Sequence, residues 1–492
     1  MMGIRMVGML VCLLLMSTGS VWGADASMIT QLASKVHADL QSLVKVRKLK
    51  LPDAVRQQKA FLLTQPEVKE VTQLKGNNLM VRFKDGNELL MFLGEDRLGS
   101  ADEMAPVQLQ KKILKPVQPT IMKRKIDPRI LTALLPCAPK SNKALIFDCL
   151  EDDANVVSPK IWMQIKSDLE SLGYIVTTKL NNSANLANAA QIDNGEYGLV
   201  FLRGHGGDLG GDFGFLVRPW YPSYPPANSG YTGTIRASAY SQAAGATQFG
   251  YVITGSFSSN YWADKAFPAT MFFLESCHGA DPGALPGMPT WTINHGASVW
   301  LGWNESVSFN CGDNGTDLFF QKIKEQRSVA DALAAVYATG CRPPELVAFP
   351  NNKGKCQLAV WKSDPNESSV ANSRDFKLLR LVSSGSRLYA TISFYGTPVF
   401  NEFFFYVDTG GTAAAEVLVK CRPGSIEVYK QTQPGLFGNK VYTGTPSTHG
   451  NDYSFSIPWS TSLGAANPVK IWLYDMTGKD RLPDSGSVTL LK

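Results

Sequence analysis

The sequence predicts an α/β protein on a mainly parallel sheet with helices on both faces. A small α+β region precedes it and a β-sandwich follows. Three observations carry that prediction. Between residues 140 and 340, short apolar runs alternate with stretches of helical period, the signature of βαβ units. Before them, a helical stretch leads into a hairpin pattern. After about residue 370, apolar positions recur every second residue and no long helix appears.

At 492 residues the chain is too long for one ordinary core. A 44% hydrophobic content with 18% charged residues excludes intrinsic disorder. The net charge of +6, from 48 basic and 42 acidic residues, is too diffuse to imply a nucleic-acid partner.

The N-terminus opens with Arg5, an apolar run from Met6 to Met16, and small residues through Ala26, which together read as a secretory signal over residues 1–26. No later stretch approaches the ~18 consecutive apolar residues of a membrane span, so no transmembrane segment is expected. The mature chain is therefore expected in the periplasm, at the cell surface or in the medium. A helical stretch lies around Met28 to Val46. Strands at Asn78–Phe83 and Glu88–Phe92 follow, joined by a turn at Asp85-Gly86. Lys111 to Pro116 and Met122 to Lys125 form a basic linker.

Ala144–Phe147 is a short strand that runs into Asp148. Ser158-Pro159 supplies a cap and first-turn proline to a helix whose Ile161, Trp162, Ile165, Leu169 and Leu172 share a face. Gly173 ends it, and Tyr174–Thr178 is the next strand of a right-handed βαβ unit. Leu199–Leu202, Met271–Leu274 and Ala297–Leu301 are further strands, and Ser328 with Asp331 opens a helix through Tyr337. The segment from Leu209 to Pro268, rich in Gly, Tyr, Ser and Pro, should form loops and hairpins across the top of the sheet.

Ligands of open α/β sheets bind at the carboxyl ends of the strands. Two strands here end in reactive residues, Leu199-Val-Phe-Leu-Arg-Gly-His205-Gly-Gly-Asp208 and Met271-Phe-Phe-Leu-Glu-Ser-Cys277-His-Gly279. They deliver an imidazole and a thiol to the same edge. A thiol attacks as its thiolate, and a neighbouring imidazole takes the proton or stabilises the charge. Eight cysteines minus Cys12, inside the signal, leave seven. An odd number in an oxidising compartment leaves one thiol over.

The ordered pair "LVFLRGHGG" and "MFFLESCHG" resembles the caspase, gingipain, clostripain and legumain group of cysteine peptidases, over roughly residues 140 to 340. "HGASVWLGW", from His295 to Trp303, resembles the next core strand of that group. The resemblance implies a caspase-like fold and peptide-bond hydrolysis through a thioester acyl-enzyme. Cys277 would be the nucleophile and His205 the general acid for the leaving amine. The N–H groups of Gly206 and Cys277 would form an oxyanion hole worth roughly 3 kcal/mol per donor. No metal or organic cofactor is implied.

Asp208, Asp212 and Asp281 flank the two loops and suggest a pocket for a basic P1 side chain, with Trp300 or Trp303 as a wall. Their plainer uses are turn capping and core packing. With Cys277 kept as a thiol, the expected disulfides are Cys137 with Cys149, Cys341 with Cys356, and Cys311 with Cys421. Asp313 and Asp317, in "CGDNGTD", offer a structural calcium site, although the spacing matches no EF-hand loop and a polar turn is the plainer reading. A zinc site from His205, Cys277, His278 and His295 lacks any C-x-x-C or H-E-x-x-H spacing. His278 and His295 read as structural or pocket-wall residues rather than catalytic ones.

The expected organisation is a signal peptide at 1–26, an N-terminal α+β prodomain with its linker at 27–126, a caspase-like peptidase domain at 127–370 and an Ig-like sandwich at 371–492. The expected function is a secreted cysteine endopeptidase acting on protein or peptide substrates. The alternative is an inactive adhesion or surface-binding protein on a peptidase-derived scaffold, its sandwich carrying any cell-surface association.

Overall fold

The computed structural model describes residues 21–93 and 138–490, apart from short internal stretches of which 351–357, 365–374 and 460–468 are the longest. Residues 1–20 of the expected signal, and the basic linker, lie outside the described residues. No described helix is long and apolar enough to cross a membrane.

Two helices open the described chain, α1 (Val21–Gln41) and α2 (Leu51–Leu63), with a proline in the first turn of α2. Ile29, Ala33, Val36 and Leu40 recur at helical spacing along α1 and are all buried. Strands β1 (Val68–Gln73), β2 (Leu79–Phe83) and β3 (Glu88–Phe92) follow. The β2–β3 hairpin forms with Leu79 opposite Met91, and Gly86 takes the positive φ of 94° that its turn needs.

The chain resumes with β4 (Lys143–Asp148), α3 (Ile161–Ser171), β5 (Ile175–Leu180) and β6 (Leu199–Arg203). Next come β7 (Gly206–Asp208), β8 (Phe213–Tyr221), β9 (Ile235–Ser241) and β10 (Thr247–Ile253). The unit closes with β11 (Met271–Glu275), β12 (Val299–Trp303), α4 (Phe309–Lys324), α5 (Val329–Tyr337) and β13 (Leu346–Phe349). Ser328 and Asp331 make the expected capping box of α5. The start of α3 differs from expectation: the helix begins at Ile161 after Lys160. Ser158 is instead held by its backbone, its N–H on Asp313 and its carbonyl on Arg203.

The central sheet runs β13-β12-β11-β6-β4-β5, parallel except for β13 at one edge. Its inner strands are buried on both faces, which is why they read as unbroken apolar runs. On one face, α3, α4 and α5 pack Ile165, Phe320 and Val336 against Phe201 and Phe273. On the other, Phe213, Phe215 and Trp262 cover Val200, Leu202 and Phe272. Strand order reverses between β4 and β6, so the crevice at their carboxyl ends is the switch point where such sheets bind ligands.

A second sheet runs β1-β2-β3-β9-β10-β8-β7. The segment after Leu209 forms antiparallel hairpins, as expected, but these join the N-terminal strands through parallel pairing of β3 with β9, Leu90 opposite Ser238. The N-terminal region and this middle segment, read from the sequence as separate pieces, share a sheet.

The C-terminal region is an antiparallel sandwich. One sheet contains β14 (Val360–Ser363), β15 (Phe376–Ser384) and β16 (Arg387–Phe394); the other contains β17 (Phe403–Asp408) and β18 (Val417–Arg422). Its first strand therefore begins inside the segment assigned to the preceding domain. Phe376, Ile392, Phe405 and Val419 fill the space between the sheets. The sandwich is clipped to the α/β unit by Trp361 N–H on Leu172 O at 2.8 Å and by Arg380 on Ala138 O at 2.8 Å.

Two expected disulfides do not form. Cys149 and Cys421 are both buried thiols, so neither Cys137–Cys149 nor Cys311–Cys421 exists. Cys421 faces the sandwich core on β18, whereas Cys311 stands in the first turn of α4 and is disulfide-bonded. Cys137, Cys341 and Cys356 lie outside the described residues.

Candidate active site

Parallel pairing of β6 with β11 sets Arg203 opposite Glu275. His205 and Cys277 each follow two residues later, so the two adjoining strands release them at the same level. The loops approach closely: a Cβ on Gly206 would lie 2.1 Å from Ser276 Oγ, so only glycine fits there.

Both side chains border the segment that enters α4. The His205 ring packs edge-on to Phe309 at 5.8 Å, and Cys277 Sγ accepts the Val307 N–H at 3.4 Å. The thiol also sits 3.5 Å from Val307 O, is half-buried and is in no disulfide. His205 Nε2 meets Asp153 Oδ2 at 3.2 Å. A carboxylate only accepts, so Asp153 fixes the proton on Nε2 and turns Nδ1 into the basic nitrogen. The ring is walled by Tyr240 at 4.8 Å and Trp220 at 6.5 Å, both from the second sheet.

Beneath the pair lies a buried charge cluster. Arg203, fully buried, reaches Asp148 at 3.2 Å, Glu275 at 2.9 Å and Asp313 at 2.5 Å. Burial opposes its charge, and the three carboxylates more than offset that and hold it protonated. Burial also pushes Glu275 well above the usual carboxyl range, against the pull of Arg203. Asp148 is raised by burial as well. The cluster clamps the ends of β4, β6 and β11 with the first turns of α4.

The proposed pocket residues have other uses. Asp208, almost fully buried, caps its own turn by accepting from Gly210 at 2.7 Å. Asp212 accepts the backbone N–H groups of Phe213, Gly255 and Met288. Trp300 and Trp303 are fully buried on opposite faces of β12, so neither walls an open pocket. Asp281 is fully buried and bonded to Lys75 and His278. Asp313 spends its carboxylate on Arg203 and Ser158 rather than facing Asp317 across a calcium site. Both other histidines are held by neighbours: His278 bridges Asp281 and Ser306, and His295 stacks on Trp291 at 3.6 Å.

Sequence reasoning missed Asp153, Arg203 and Val307. Arg203 had a legible signal, since a charge ending an otherwise apolar buried strand has to find counter-charges. The Val307 N–H carries no side-chain signal at all.

Comparison with family models finds no match, and comparison with curated proteins finds none either. Among solved structures, the complex of Porphyromonas gingivalis RgpB pro- and mature domains is similar at a TM-score of 0.29 and 10% identity, covering 71% of this chain and 68% of that one. So slight a likeness assigns no residue a role. The chain is thus a mixed α/β protein in which two adjoining parallel strands end in a histidine and a cysteine beside the segment that enters α4.

Proposed function

We propose that the chain is an exported cysteine endopeptidase of the caspase-like type. The observation that carries this reading is the β6–β11 register, which releases His205 and an undisulfided Cys277 at one level beside the same α4 entry segment. In the proposed reaction the Cys277 thiol passes its proton to His205 Nδ1. The thiolate then attacks the substrate carbonyl carbon, and the N–H groups of Gly206 and Cys277 hold the oxyanion. Collapse breaks the C–N bond, the amine leaves with the proton from His205, and water hydrolyses the thioester. Asp153 orients His205 throughout.

The preference for a basic P1 side chain moves away from Asp208, Asp212 and Asp281, which are all engaged. A cavity of about 530 Å³ at the first turns of α3 and α4, lined by Ser158, Lys160, Gln164, Asn314 and Asp317, supports it with Asp317 as the carboxylate, Asp313 being engaged. The N-terminal region is proposed to act as a prodomain that stays seated after cleavage near Lys123–Lys125, because β3 shares a sheet with β9. Labelled iodoacetamide on the native protein, with mapping of the label, tests the whole reading, together with reporter peptides bearing Arg, Lys, Asn or Asp at P1. A fast-reacting Cys277 and cleavage after Arg or Lys are expected. An unreactive Cys277 would overturn the reading, and a preference for Asp would remove its basic-P1 part.

A further inference from the structure

Three hydrogen-bonded contacts, one step along the chain and a final hydrogen bond join the N-terminal region to the sulfur of Cys277. Lys75, in the turn before β2, places Nζ 2.6 Å from Asp281 Oδ1. Asp281 Oδ2 lies 3.0 Å from His278 Nδ1, and His278 Nε2 lies 3.0 Å from Ser306 Oγ. Ser306 immediately precedes Val307, whose N–H points at Cys277 Sγ from 3.4 Å. Asp281 only accepts, so His278 Nδ1 carries a proton toward it, and Nε2 is left to pair with the Ser306 hydroxyl. Burial would raise Asp281, but Lys75, the Gly283 N–H and His278 hold it below the usual carboxylate range.

Main-chain bonds fasten the same two segments. His278 N–H donates to Glu305 O at 3.0 Å and Ala280 N–H to Trp303 O at 2.9 Å. His278 itself takes a φ of 58°, a conformation a non-glycine side chain adopts only under constraint from its surroundings. Its two ring bonds supply that constraint. Other charged groups near this line are Asp208, whose Oδ2 borders Gly283, and Glu305 on the facing segment.

We infer that Asp281, His278 and Ser306 are positioning residues that hold the Val307 N–H on the sulfur, and that Lys75 of the N-terminal region locks them in place. The inference rests on the thiol being the reactive group, yet it makes the N-terminal region part of what sets that reactivity rather than a mere cover. Val307 offers the sulfur two partners. Its carbonyl favours the thiol through a weak S–H donor, while its N–H favours the thiolate through a charge-assisted bond. The second outweighs the first, so losing the position of Val307 disfavours the thiolate.

The test is the pH profile of iodoacetamide alkylation at Cys277, read by mass spectrometry on the full chain, for wild type, Lys75→Ala, Lys75→Arg and Ser306→Ala. Lys75→Ala and Ser306→Ala should shift the profile to higher pH and slow alkylation at neutral pH roughly tenfold, the scale of one hydrogen bond to a charged group. Lys75→Arg should keep the wild-type profile. Unmoved profiles in folded Lys75→Ala and Ser306→Ala proteins would overturn the inference while leaving the nucleophile reading intact. A slow wild-type thiol whose profile still moves would do the reverse. Should Lys75→Ala fail to fold, Ser306→Ala, on another segment, decides alone.

Discussion

Two strand ends of one sheet each present a cysteine, and the two could hardly differ more. Cys149 follows Asp148 by one residue; Cys277 follows Glu275 by two. Asp148, Arg203 and Glu275 stand in register across β4, β6 and β11. Alternation along a strand therefore sends Cys149 to the opposite face from that row and Cys277 to the same face. Cys149 is sealed in the core with Phe147 and Ala184, and burial pushes its thiol far above the ordinary range. Cys277 is half-open, with a backbone N–H on its sulfur. One residue of offset separates an inert thiol from an addressable one.

The largest expected effect follows from that contrast. Cys277→Ala should lower kcat/KM on a reporter peptide by at least about 10³-fold. Cys149→Ala should leave it unchanged and cost only about 1 kcal/mol of stability. Equal losses from both would break the comparison. A smaller effect concerns the charge row beneath. Arg203→Met strands carboxylates in the core and should cost about 3–5 kcal/mol, read as a lowered denaturation midpoint. Glu275→Gln mimics the protonated carboxyl and should stay within about 1 kcal/mol of wild type at neutral pH. Because burial raises Glu275, its contribution is fully present below the ordinary glutamate range and is lost as the pH rises through its folded value. Glu275→Gln should therefore flatten the decline of stability towards alkaline pH, and an unchanged slope would show that Glu275 is already ionised.

What was legible in the sequence was whatever neighbours in the chain decide. The turn at Gly86, the capping box at Ser328 and the two strand ends carrying His205 and Cys277 are all local patterns. The second sheet was not legible, because β3 and β9 find each other across a long stretch of chain and neither advertises the other. The carboxylates misled for a related reason. Asp208 and Asp212 sit among glycines whose exposed N–H groups need acceptors, so the backbone claims them before any ligand can. Trp300 and Trp303 were candidates for a pocket wall, with core packing as the plainer use. In a sheet covered on both sides there is no outward face.

The pairing of β3 with β9 also bears on biosynthesis. Glu88 and Arg236, whose side chains meet across that pairing, stand 148 positions apart. Until the later strand emerges, the early hairpin has an open edge and an apolar face with nothing to cover them. The crevice is then finished late, when the most distant parts of its frame finally meet.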